Sequence, residues 1–286
     1  MALRFDRVQA KSILTRSSGF LKHVCSHSAQ PYRGCSYGRT LCGVGCYVQH
    51  NGLLTRGERW GDFLEARENA ASLYLASARR ERDWARRSRA SFSIFMSSST
   101  DPFVPQERRA GITAALLRAM LEDPPDELIL QTHSHRVLDV LDLCRDLHRR
   151  TRLRVQISIE SDRDRLPGLP PPASSVERRF ASAEAMRQAG LRVVIAVAPL
   201  LPILDPRAFF ARIADCADAV ILDHFIGGDG SEGGSRTART RLPDAIRAID
   251  PRALELVYRD EMVAFARLAM PGRVGVHIDG FAGRFS

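Results

Sequence analysis

The sequence predicts an α/β protein built on a parallel sheet. From residue 92 onward, short apolar runs alternate with stretches of helical periodicity, the pattern of successive βαβ units. Polar residues crowd at the ends of those runs, where parallel sheets collect their functional groups. The chain has 286 residues, 44% hydrophobic and 26% charged, enough for a large core and a common length for an α/β barrel folded as one domain.

The elements follow in order. SFSIFMSS (91–98) reads as the first clear strand, followed by the turn TDPFVPQ and a helix over about 106–121. ELILQTH (127–133) is the second, with a helix over about 136–149. LRVQISIE (153–160) is the third, then the Pro-rich RLPGLPPPAS and a helix over about 175–189 that ends at Gly190, a residue suited to the left-handed helix stop. LRVVIAVAPL (191–200) and DAVILDHF (218–225) are the fourth and fifth, flanking a helix over about 206–216. A sixth strand is expected near 19–25. GGDGSEGGSRTART (227–240) reads as a flexible Gly, Ser and Thr loop, suited to a lid or a plain surface connection. GRVGVHIDGFAGRF (272–285) adds one short strand and a glycine-rich tail. The polar strand ends are Ser97 to Asp101, Gln131 to Ser134, Ser158 and Glu160, and Asp223 and His224.

Charge is distributed unevenly. Residues 1–90 hold 16 Lys and Arg against 7 Asp and Glu, whereas residues 91–286 hold 26 of each, so the net charge of +9 sits in the first third. Its densest run is ARRERDWARRSRA (78–90), with Trp84 as the one aromatic residue. Such a run is either a solvated helix face or a surface for nucleic acid or another anion. No apolar run approaches the roughly 18–20 residues of a membrane helix. The basic N-terminus lacks the apolar core of a secretory signal, so a cytoplasmic protein is expected.

GCSYGRTLCGVGCYVQH (34–50) carries three of the six cysteines, Cys35, Cys42 and Cys46. Three readings compete. A zinc site would need a fourth ligand from Cys25, His23, His27 or His50, and the six-then-three spacing is not that of a zinc knuckle. A disulfide framework is disfavoured in a reducing compartment. A four-iron cluster on three thiolates would leave one iron open to a ligand. Cys144 and Cys216 fall in predicted helices and read as small buried apolar residues.

PYRGCSYGRTLCGVGCYVQH resembles the cluster loop of radical S-adenosylmethionine enzymes. It is most similar to the spore photoproduct lyase-like branch, which carries a PYRGC-like entry and a Tyr after the last cysteine. MSSSTDPFVPQE, QTHS, VQISIE and VVIAVAPLLPIL are similar to successive strand-end motifs of that branch, in the same order, from about residue 30 to about residue 225. The resemblance implies a partial (β/α)6 TIM-like barrel. Residues 1–30 would then form a basic extension with a possible first strand, 31–226 the barrel, and 227–286 an extension closing it. It implies a [4Fe-4S] cluster on Cys35, Cys42 and Cys46 and the cofactor S-adenosyl-L-methionine. Reductive cleavage of that cofactor would give a 5′-deoxyadenosyl radical for hydrogen abstraction, and an external reductant such as flavodoxin or ferredoxin would supply the electron.

Carried over residue by residue, Ser99, Thr100, His133 and Ser158 would line the cofactor site. Glu160 would bind ribose or take a helix N-terminal contact. Tyr47 would shield the cluster, Asp101 would fix its turn, and Arg179 would either reach the cofactor carboxylate or lie exposed. Three departures stand out. The cysteine spacing is longer by four residues than the branch's usual three-then-two. His133 stands where lysine is common. MSSSTDP has only serines where a repair lyase places the cysteine that returns a hydrogen atom to its product. The alternative function is a non-catalytic protein that binds metal and nucleic acid.

Overall fold

The computed structural model describes residues 3–88 and 90–286. Among the described residues eleven strands form two sheets. The smaller contains β1 (Arg4–Val8), β4 (Tyr32–Gly34) and β5 (Phe63–Arg67), with β5 central, parallel to β1 and antiparallel to β4. The larger runs in the order β2 (Leu14–Arg16), β3 (His27–Ala29), β6 (Ser93–Met96), β7 (Glu127–Thr132), β8 (Arg152–Ser158), β9 (Val193–Val197), β10 (Ala219–Leu222) and β11 (Val274–Val276). From β3 to β11 every pairing is parallel, and β2 adds an antiparallel edge. Among the described residues β2 and β11 do not pair, so the barrel is partial.

Burial of both faces explains why β6 to β10 read as continuous apolar runs. One face packs outward on the helices through Ile94, Leu128, Leu130, Val155, Ile157, Val193, Ile195, Val220 and Leu222. The other packs inward as a separate cluster of Phe95, Ile129, Val194, Ala219 and Ile221, together with Cys25 and Phe281.

The expected strand at 19–25 is not one. Gly19–His23 is a 3₁₀ helix, and the strand comes later, at β3. The apolar residues there, Phe20, Leu21 and Val24, pack on the inner cluster, so their hydrophobicity reports a plug inside the barrel. Phe20 meets Phe281 edge-on, 5.7 Å between ring centroids, on the short helix His277–Phe281 that follows β11. Strand ends also shift. β6 stops at Met96 because Ser97 takes a left-handed φ of 76°. The expected helix over 106–121 breaks at Gly111 into Glu107–Ala110 and Ile112–Glu122. The expected loop 227–240 contains short helical turns folded around buried Asp229, which accepts from the Ser231 and Thr237 amides at 2.9 and 2.7 Å.

The basic run lies on the helix Ala70–Arg87, which buries Ala70, Tyr74, Ala78, Glu81 and Ala85, a spacing of three or four residues. Glu81 receives Arg16 and Arg80, and Arg82 pairs with Asp123. Arg79, Arg86 and Arg87 are exposed, and Arg89 lies outside the described residues. Among the described residues no helix is long and apolar enough to cross a membrane.

Candidate active site

The cysteine loop leaves β4 of the small sheet and is tied to the large one at two points. The Thr100 hydroxyl donates to the Gly34 carbonyl at 2.9 Å, and the Gln30 amide donates to the Ser98 hydroxyl at 2.8 Å. The long gap between Cys35 and Cys42 is taken up by a tight turn. Gly38 packs against the backbone of Gly61, and Gly43 against the Tyr37 carbonyl, so closely that a Cβ at either glycine would collide with backbone. The Tyr37 hydroxyl pins this turn to the rim, donating to the Phe103 carbonyl at 2.8 Å with Ser134 Oγ at 3.2 Å. The helix Leu41–Gly45 then presents Cys42 and leads to Cys46.

All six cysteines are free. Burial pushes the Cys35 thiol well up, and the neighbouring Cys42 and Cys46 charges push it further. Burial carries Cys42 to about 12 and Cys46 to about 11. Three thiols with mutually opposing charges, Cys35 enclosed and two partly open, are a donor set that needs a cation or cationic cluster to be held as thiolates. Among the described residues no three His, Cys, Asp or Glu are placed to hold a single metal ion. A four-iron cluster takes each thiolate on a different iron, with the sulfurs farther apart than around one ion, and three cysteines are the complement such a site needs when one iron is left for a ligand. Two of the four expected zinc partners are engaged elsewhere, whereas His50, four residues after Cys46, keeps a buried Nε2 without a partner among the described residues. His27 is fully buried against Glu81 at 3.2 Å, and Cys25 precedes β3 at the foot of the barrel.

Facing this loop is a chain of charged groups on the barrel rim. His133, just past β7, bonds through Nε2 to Glu160 Oε1 at 2.9 Å, and Glu160 accepts from Arg179 at 2.6 Å. Arg179 also donates to the Ser158 carbonyl at 2.7 Å. It is 3% exposed, which corrects the expectation of a solvated arginine. Glu160 is engaged by those two side chains within the protein. Burial alone would raise its carboxyl, but Arg179 and His133 outweigh that and hold it well below the usual carboxylate range. For His133 burial works the other way and is again outweighed, by Cys42, Glu160 and Asp101, so the imidazole is raised. Asp101 fixes its turn by accepting from the Phe103 amide at 2.8 Å, and it knits β6 to β7 by accepting from Thr132 Oγ1 at 2.9 Å and the His133 amide at 2.7 Å.

The other expected residues divide. Ser99 lies half-buried on the turn after β6. The Thr100 hydroxyl is occupied by Gly34. Ser158 is fully buried with its hydroxyl unpartnered, on the inner face of β8. Tyr47, beside Cys46, is half-buried, and its phenol is raised by burial and then by the charges of Cys46, Asp229 and Asp223.

No family model matches the chain, and no curated protein matches it. Solved structures do. Spore photoproduct lyase complexed with a dinucleoside spore photoproduct aligns over 96% of this chain and 81% of its own, with a TM-score of 0.59 at 18% identity. A Cys-to-Ala variant of that enzyme with the same ligand aligns over 95% and 80%, at 0.60 and 18%. A Tyr-to-Phe variant aligns over 95% and 81%, at 0.58 and 16%. The chain shares the fold of spore photoproduct lyase.

Proposed function

We propose that the protein is a radical S-adenosylmethionine enzyme of the spore photoproduct lyase-like type. The observation that carries this reading is the convergence of Cys35, Cys42 and Cys46, on one loop, with His133, Glu160 and Arg179, on the rim of a partial barrel. Cys35, Cys42 and Cys46 would hold a [4Fe-4S] cluster. With S-adenosylmethionine bound, that cluster supplies a 5′-deoxyadenosyl radical that takes a hydrogen atom from the substrate.

The chain's own groups do the rest. Cys42 feels the charge of His133, so the histidine is near enough to orient the polar end of a cofactor placed between them. Glu160 and Arg179 lock His133 in place, and buried ion pairs of this kind fix geometry more than they add stability. Ser99, His133 and Ser158 line the cofactor's side of the mouth. Tyr47 shields the cysteine loop from the chamber, and the Tyr37 turn keeps water from its back. The electron comes from an external reductant such as flavodoxin or ferredoxin.

The deciding experiment is anaerobic reconstitution with iron and sulfide, followed by S-adenosylmethionine and dithionite. The expected product is 5′-deoxyadenosine from a brown protein carrying iron and sulfide in equal amounts. One bound zinc and no sulfide would instead support the non-catalytic metal- and nucleic-acid-binding protein.

A further inference from the structure

The inner face of the barrel can be followed residue by residue. In the parallel register Ile129 stands beside Arg154, Gln131 beside Gln156, Gln156 beside Val194 and Ser158 beside Ala196. Ala196 stands beside Ile221, which stands beside Gly275. Two residues further along the outer strands, the same face reaches Asp223 after β10 and His277 after β11. The lower part of this interior is filled by Phe95, Ile129, Ile221 and Phe281. Arg154, the cation of that layer, is engaged by the Phe281 carbonyl at 2.6 Å.

The upper part is polar and unsatisfied. Gln156 is fully buried with neither its amide oxygen nor its amide nitrogen bonded, and Ser158 Oγ, Gln131 Oε1 and Ser97 Oγ are likewise buried without partners. Buried polar groups in folded proteins are almost always paired, so a wall of orphaned neutral donors and acceptors marks a place that something else occupies.

Asp223 and His277 stand over this wall, across the mouth from His133. Asp223 Oδ1 accepts from His277 Nδ1 at 2.8 Å, and the Asp223 side chain is 7% exposed against 34% for His277. Phe20 meets the imidazole edge-on at 5.2 Å, which fixes the plane of the ring. His277 takes a left-handed φ of 52°, unfavourable for a residue with a Cβ and found where a side chain must be aimed. The carboxylate sets the tautomer on Nδ1 and leaves Nε2 for a second partner.

The geometry points to His277, oriented by Asp223, as the proton-transfer residue for an uncharged substrate group bearing a carbonyl or hydroxyl oxygen, held in the barrel mouth above Gln156. This rests on the radical enzyme reading. In the step assigned here the imidazolium form of His277 gives its Nε2 proton to a lone pair of the substrate oxygen, which leaves the neutral ring protonated on Nδ1 against Asp223, and a proton from solvent restores the imidazolium. Asp223 stays a carboxylate and acts as a positioning residue. Among the described residues the orphaned side chains of the upper wall, Gln156, Ser158, Gln131 and Ser97, are neutral, and the cation below them, Arg154, is held by the Phe281 carbonyl with its Nε left unpartnered, so the upper wall suits an uncharged group.

Among the described residues the charged groups around His277 are Asp223 just past β10, Arg259 on the helix Leu256–Ala269, and Asp279 on its own helix; the Asp223 hydrogen bond is the largest influence and raises the imidazole.

The test uses the anaerobically reconstituted holoprotein and diethyl pyrocarbonate, which acylates neutral imidazole, with each histidine read by peptide mass spectrometry. His277 is expected to react well ahead of buried His27 and His224. S-Adenosylmethionine should slow His133 several-fold and leave His277 within about twofold. At pH 6, Asp223→Asn should speed His277 about threefold to tenfold, because losing the carboxylate lowers the imidazole pKa and one unit is tenfold. Equal protection of both histidines would make His277 a cofactor contact and overturn the proposal. So would His277 reacting no faster than His27. If S-adenosylmethionine protects neither histidine and no 5′-deoxyadenosine forms, the enzyme reading fails; the Asp223→Asn arm then decides the pair, and an unchanged rate overturns it.

Discussion

Two histidine–carboxylate pairs sit on one rim, and they are built differently. His133–Glu160 joins neighbouring strands, and its carboxylate is also bound by Arg179, which is 3% exposed. His277–Asp223 joins the last two strands, has no arginine bonded to its carboxylate among the described residues, although the Arg259 charge is felt there, and leaves its imidazole a third exposed. In the first pair each group is held by two others, which suits a part that must stay still beside a cysteine loop. In the second, one nitrogen is fixed and the other is free, which suits a part that exchanges a proton. The difference shows in the carboxylates: Glu160 is held well below its usual range, whereas burial lifts Asp223 above its own despite His277.

The largest test asks whether the first pair stands beside a cluster at all. Replacing Cys35, Cys42 or Cys46 with Ala should remove most of the bound iron and drop 5′-deoxyadenosine formation to background. Cys144→Ala and Cys216→Ala should leave iron unchanged, because both are buried away from the loop. Equal iron in all five proteins would break the comparison at its root.

The next test sits beside the first pair, on the turn after β6, at Ser97, Ser98 and Ser99. An O–H bond is a poor hydrogen-atom donor compared with S–H, and Cys25, the nearest candidate thiol on the inner face, packs below Phe95 and Ile129 at the foot of the barrel. A dinucleoside spore photoproduct should therefore be converted slowly, or end in an aberrant adduct, by mass spectrometry. Clean multiple turnover to thymine would show that another group donates the hydrogen.

Stability should separate the pairs. Arg179→Met strands the buried Glu160 carboxylate and should cost about 3–5 kcal/mol in denaturant unfolding. Asp223→Asn should change stability by less than about 1 kcal/mol at pH 7, since it removes one hydrogen bond and also a desolvated charge. Comparable losses would mean that both pairs are structural.

A finer test uses pH. His277 is raised above 6.5 in the folded protein, so its contribution is fully present below pH 6.5 and is lost as pH rises through the folded value. Unfolding free energy should decline over that window, and Asp223→Asn should flatten the decline.

The smallest effect concerns neither pair. If exposed Arg79, Arg86 and Arg87 contact phosphates, replacing all three with Ala should reduce the salt slope of DNA or RNA binding by roughly 2–3, at about 0.9 per phosphate. Undetectable binding at low salt would leave them as a solvated helix face.

The sequence by itself determined the parallel sheet from β6 to β10, because strands buried on both faces must be apolar throughout. It also located the cysteine loop and the polar strand ends, since those lie on contiguous segments and can be matched to a family pattern. Other features were decided only in three dimensions. Apolar residues 19–25 look like a strand in isolation, and only Phe281 across the barrel makes them a plug. Arg179 looks like any helix arginine until the Ser158 carbonyl and Glu160 enclose it. Nothing in the sequence tells that the Thr100 hydroxyl donates to the Gly34 carbonyl. His277 gave no signal, being one histidine near the chain's end, 54 positions from its carboxylate. Local pattern is set by what each residue does with its own backbone and with water. The pairing of two side chains far apart in sequence is set by strand order, and strand order emerges only when all the βα units pack together.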